Sequence, residues 1–219
     1  MISSPFTIAC LLSVLAFPLV ASAKYISIDT GECGGDVSAT KTVVKSEMYG
    51  SRAKNFRAYG VIAYWRSEDD AKKHQCHVEY RLYISAHGGE FSLVNSRTWQ
   101  TEHGEIAGID LIGESPDGSK FAADTWIAEG DSEGHWPIVY DTVKKQGWNR
   151  SLADKIQVRI HGCDQNEDFV GVSNTGEAIF AIPPSEYDDS AKYGDKGLWH
   201  FNLQTGRVYR VRRISGEKW

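Results

Sequence analysis

Apolar and polar residues along this chain tend to alternate or to form short blocks. They rarely recur every three or four positions. Arg207-Val208-Tyr209-Arg210-Val211-Arg212 alternates cleanly and predicts a strand with one wet and one dry face. Short runs rich in aromatic and branched residues repeat the signal at 59–65, 77–85, 91–94, 108–113, 120–126 and 136–140. The series continues at 156–160, 169–172, 178–182, 198–202 and 207–214, with Lys41 to Val44 as an earlier strand. Gly, Asn, Asp and Ser separate these runs, which is the punctuation of an antiparallel all-β domain. Helical patterning is confined to Ser67-Glu68-Asp69-Asp70-Ala71-Lys72-Lys73, where a capping Ser precedes an acidic turn, and to one turn near Ser151–Lys155. The first of these has almost no apolar face and reads as a solvated excursion.

The N-terminus departs from this pattern. Residues 1–23 contain no Asp, Glu, Lys or Arg, 6–20 are almost wholly apolar, and Ala21-Ser22-Ala23 has the small-x-small form of a processing site. Residues 1–23 therefore read as a signal peptide with Lys24 as first mature residue. The apolar run falls short of the ~20 residues of a bilayer span. The expectation is a secreted or periplasmic protein that is not an integral membrane protein after cleavage, divided into an N-terminal segment, 24–58, and a β-rich repeat domain, 59–219.

Composition narrows the classes further. With 219 residues, 41% of them hydrophobic and 24% charged, the chain can bury a core, and a disordered chain is excluded. Lys and Arg, 24 together, are outnumbered by 29 Asp and Glu, which argues against nucleic acid as a partner. Removal of the leader and its Cys10 leaves Cys33, Cys76 and Cys163, so an oxidising compartment predicts one disulfide and one thiol. Cys76 and Cys163 are the favoured pair, because Cys33 sits in the Gly-rich stretch Thr30-Gly31-Glu32-Cys33-Gly34-Gly35.

Parts of the chain recur. Gly113-Glu114-Ser115-Pro116-Asp117-Gly118 matches Gly171-Val172-Ser173-Asn174-Thr175-Gly176 at an offset of 58, and Ala123 and Ala181 keep that register. Trp136 to Asp141 corresponds to Gly197 to Asn202, and Arg81 to Val94 forms a weaker third copy. Ser115-Pro116-Asp117-Gly118-Ser119-Lys120-Phe121-Ala122 resembles the S-P-D-G signature of the TolB-like, WD-like β-propeller repeat. Leu198 to Gly206 is similar to the outer hairpin of such a blade. The resemblance covers about three units over 59–213. It implies antiparallel blade-like sheets, as in a small or incomplete β-propeller; a β-sandwich with good hairpin turns is the alternative. It is silent about activity.

Chemical motifs are sparse. Gly113-Glu114-Ser115-Pro116-Asp117 starts like a nucleophile elbow but lacks the closing Gly. No phosphate loop, dinucleotide fingerprint or H-E-x-x-H helix is present, so the sequence points to no cofactor. His74, Cys76, His161 and Cys163 would make a zinc set if the thiols stayed reduced, a weaker alternative to the disulfide. Asp110, Glu114, Asp117, Asp124 and Asp131 fall within one repeat, and Asp124 lies in a strand beside Trp126. Trp65, Asp124, Trp126, Trp136 and Trp199 are the candidate binding surface for a protein, peptide or glycan. The reading that best fits is an exported non-enzymatic binding or scaffolding module. A small secreted hydrolase with a carboxylate or metal site, and a structural subunit of an envelope assembly, are the alternatives.

Overall fold

The computed structural model describes residues 24–29, 41–73, 75–102, 105–129, 132–151, 168–182 and 197–213. These are almost all β. The strands are β1 (Lys24–Asp29), β2 (Thr42–Lys45), β3 (Tyr49–Gly50), β4 (Phe56–Trp65), β5 (Gln75–Ala86), β6 (Ser92–Glu102) and β7 (Ile106–Glu114). They continue as β8 (Lys120–Glu129), β9 (Ser132–Asp141), β10 (Gln146–Asn149), β11 (Asp168–Val172), β12 (Ala178–Ile182), β13 (Gly197–Asn202) and β14 (Arg207–Arg213). A short helix, α1 (Glu68–Lys73), lies between β4 and β5.

The described strands form three antiparallel sheets that, apart from β1, follow one another along the chain. The first is β2-β4-β5-β6, with β3 also paired to β4; the middle one is β1-β7-β8-β9-β10; the last is β11-β12-β13-β14. The middle sheet is buried from both sides, and consecutive residues of β8 serve opposite faces. Phe121 and Ala123 join Leu111 and Ile138 against Phe56, Ala58, Leu82 and Ile84 of the first sheet. Ala122, between them, joins Val139 against Val172, Phe180, Trp199 and Phe201 of the last sheet. A further cluster sets Ile28, Ala107 and Ile109 on Ile62, Val78 and Tyr80. Double-sided burial explains why 120–126 reads as an apolar run rather than a clean alternation.

The recurrent turn is a structural unit, and it occurs three times among the described residues. Ser115 N donates to Lys120 O at 3.0 Å, Lys120 N returns to Ser115 Oγ at 3.0 Å, and Gly118, at φ 71°, donates to Ser115 O at 2.9 Å. Ser173, Gly176 and Glu177 repeat the three bonds, with Glu177 N on Ser173 Oγ at 3.0 Å. The third copy joins β3 to β4, where Phe56 N donates to Ser51 Oγ at 3.1 Å and Lys54 occupies the left-handed position at φ 55°. That copy escapes sequence inspection because a lysine stands where the others have glycine. Neighbouring turns are tied together: Arg52 donates through N and Nε to Glu114 Oε1 at 2.8 and 2.7 Å.

Two expectations need adjustment. The division at 58/59 falls inside β4, and β2 and β3 pair with that strand, so 42–58 belong to the first sheet. The helix at 68–73 is not a purely solvated excursion, because Asp70 is buried and Gln100 Nε2 donates to it from β6. Its start is capped as expected: Asp70 N donates to Ser67 Oγ at 3.1 Å and Ser67 N to Asp70 Oδ2 at 2.9 Å. The strand expected at 156–160 and the turn at 152–155 lie outside the described residues.

Candidate functional site

The ladder register of the middle sheet sets four strands side by side. Ser27, Gly108, Trp126 and His135 form one cross-strand row, and Tyr25, Asp110, Asp124 and Pro137 form the next. Directly opposed residues share a face, so these eight side-chain positions look toward the last sheet. The last sheet covers only part of that face. Tyr25 is 66% exposed and Ile106 43%, whereas Asp124 and His135 are buried at 2% and 7%.

Trp126 is the centre of this patch. Its indole lies across Gly108, where an added Cβ would stand 2.2 Å from Cε2 and Cζ2. Glycine in a strand interior weakens the strand, and here the missing side chain makes room for the ring. Trp126 Nε1 donates to Asp110 Oδ2 at 3.2 Å, which fixes the ring's rotation. Beside it, His135 Nδ1 donates to Asp124 Oδ2 at 2.5 Å, and the imidazole meets the Phe169 ring at 5.8 Å. From the opposite face, Tyr80 donates its hydroxyl to Trp126 O at 3.0 Å. Burial is the leading reason the Tyr80 phenol is raised well above its usual range, with the Asp124 charge adding to it.

The five residues expected to form one binding surface are dispersed. Trp65 lies on the outer face of the first sheet, between Lys41 Nζ at 4.0 Å and the His77 ring at 5.1 Å. Trp136 faces the first sheet, with Arg97 over its ring at 4.0 Å and Trp99 at 5.5 Å. Trp199 is 7% exposed and packs on Phe180, so it is core rather than surface. Asp124 shares a face with Trp126, but it is held by His135 rather than aimed into an open groove. Trp126 differs from the other three tryptophans: among the described residues no ring or cation stacks on it.

The remaining acidic side chains also separate. Glu114 holds Arg52, and Asp117 is a turn residue whose carboxyl is lowered to about 2, chiefly by the Ser115 hydroxyl and then by Ser119. Asp131 lies outside the described residues. Two further carboxylate–histidine groups occur on other sheets. Asp70 Oδ2 accepts from Ser67 and from His77 Nε2 at 3.0 Å. Glu177 Oε2 accepts from Tyr209 at 2.6 Å and His200 Nδ1 at 3.1 Å. In both, burial pushes the carboxyl up, but the hydrogen bonds together outweigh it and the net shift is downward. A pocket of about 280 Å³ lies at the turn end of the first sheet, lined by Ser51, Lys54, Phe56 and Arg57, and it holds no carboxylate.

Cys76 is buried at 1% on β5, while Cys163, His74 and His161 lie outside the described residues. Among the described residues no group of three or more His, Cys, Asp or Glu is placed to hold a metal ion, and no helix is long and apolar enough to cross a membrane. Sequence reasoning missed Gly108, His135, Tyr25 and Ser27. The one signal that pointed to them was a glycine inside an apolar strand, which marks close approach of another group. Comparison with protein-family models, curated proteins and solved structures finds no match to this chain.

Proposed function

We propose that this chain is an exported, non-enzymatic recognition module built from three propeller-like repeats, with Trp126 at its binding face. The observation that carries the reading is an indole anchored by Asp110, backed by Gly108 and bare of any stacked ring or cation among the described residues. Buried aromatic anchors carry most of the energy at recognition surfaces, and a ring held in place loses little freedom on binding. The uncharged apolar leader supports export. The reading includes a disulfide between Cys76 and Cys163, the bond that an oxidising destination favours.

The test uses the mature chain, 24–219, on a mixed array of peptides and glycans. Retention is expected for wild type and for W65A, and loss for W126A, each variant first shown to melt cooperatively. Retention indifferent to W126A overturns the reading. So does turnover of an ester, peptide or glycoside substrate that disappears in D124N, since that would make the molecule an enzyme.

A further inference from the structure

We infer that the Trp126 patch binds an uncharged saccharide; the inference rests on the recognition reading above and gives it a ligand class. The reasons lie in which chemistry surrounds the ring. An indole offers an apolar, electron-rich face, the surface against which the C–H face of a pyranose can stack. Around Trp126 the polar groups are those that exchange hydrogen bonds with hydroxyls. Tyr25 brings an exposed phenol from β1 and Ser27 an exposed hydroxyl one row along, while Asp110 positions the ring through the indole N–H. Neighbouring strands lie about 4.8 Å apart, so Tyr25 and Trp126, two strands removed, are separated by roughly 10 Å, room for more than one sugar ring.

Charge and shape narrow the class. Asp110 and Asp124 are direct cross-strand partners on this face, and two carboxylates repel a uronic or sialic acid. A quaternary ammonium would require a cage with rings on several sides. Here one indole lies on a sheet face beside the buried His135 imidazole, with Tyr25 two strands away, which is short of a cage. The other tryptophans provide internal controls. Trp65 carries Lys41 and His77 against its ring, and Trp136 carries Arg97 and Trp99, contacts of a kind that Trp126 lacks among the described residues.

The experiment is a titration of mature protein by calorimetry and tryptophan fluorescence. The probes are neutral oligomers of glucose, N-acetylglucosamine, mannose and galactose, with oligogalacturonate and choline as charged comparisons. Saturable binding of at least one neutral oligomer is expected, weakened tenfold or more in W126A, several-fold in D110N and Y25A, and unchanged in W65A. W126F, which keeps a smaller ring, recovers part of the affinity and guards against a folding artefact. Binding of choline or the uronate in preference to every neutral oligomer overturns the inference, as does saccharide binding indifferent to W126A. Peptide retention on the array that W126A abolishes, with no saccharide bound, overturns the saccharide assignment while leaving the recognition module standing. Absence of any retained ligand overturns both.

Discussion

The backbone amide of Asp117 donates to the side-chain oxygen of Asn174 at 3.1 Å, so the turn heading the middle sheet is held by the equivalent turn of the last sheet. Arg52 makes the corresponding connection from the first sheet to Glu114. The stack is therefore tied turn to turn, as well as by its apolar faces. Replacing Asn174 with Ala removes one such bond and is expected to cost about 1 kcal/mol in urea unfolding. S115A, which also strips Lys120 N of its acceptor, is expected to cost more. NMR titration supplies a second measure: in S115A the Asp117 carboxyl, lowered to about 2 in wild type, moves back toward 3.8.

Lys54 and Gly118 predict opposite responses to reciprocal substitutions. Both occupy left-handed backbone, at φ 55° and 71°, where a Cβ costs roughly 1 kcal/mol. K54G is thus expected to raise the unfolding midpoint and G118A to lower it. A G118A midpoint at or above wild type would show that the turn does not need this conformation.

Acid stability is linked to Glu177. Its carboxyl is lowered from 4.5, because the bonds from Tyr209, His200 and Thr175 together exceed the opposing effect of burial. A lowered folded value contributes stability that is fully present above 4.5 and is lost as pH falls through the folded value. At pH 7 the E177Q variant should be about 1–2 kcal/mol less stable than wild type. The gap should close as pH drops below 4.5 towards and past the folded value. A gap that persists unchanged down to pH 2 would contradict the linkage.

Thiol counting tests the cysteine assignment. Denatured, unreduced protein spanning residues 24–219 should react at one thiol, and reduction should expose three. Peptide mapping should place the thiol that reacts before reduction at Cys33. If it is Cys163 instead, the pairing is Cys33 with Cys76.

Much of the architecture is readable from residue order because its determinants are local. The alternation of 207–212 became β14, and the turn chemistry of Ser115 and Ser173 produced the same three bonds, with the Ser173 turn one residue shorter. Ser51 shows where that reading stops: the same bonds form without the glycine that advertises them. The site was less accessible. Trp126 was visible as one aromatic among seven tryptophans. What distinguishes it is a glycine on one neighbouring strand and an aspartate two residues further on, a relationship that exists only once the β7–β8 register is set. Trp65 and Trp199 have equally suitable sequence neighbourhoods and are filled by Lys41, His77 and Phe180, which are distant in the chain or on other strands.

Gly108 has a consequence beyond housing a ring. Because no atom larger than hydrogen fits between its backbone and the indole, the height of Trp126 is set from the underside of the ring. A methyl group added there would lift or tilt the ring while leaving every solvent-facing atom chemically unchanged. Ligand preference in this molecule can thus be retuned through a residue that no ligand ever touches.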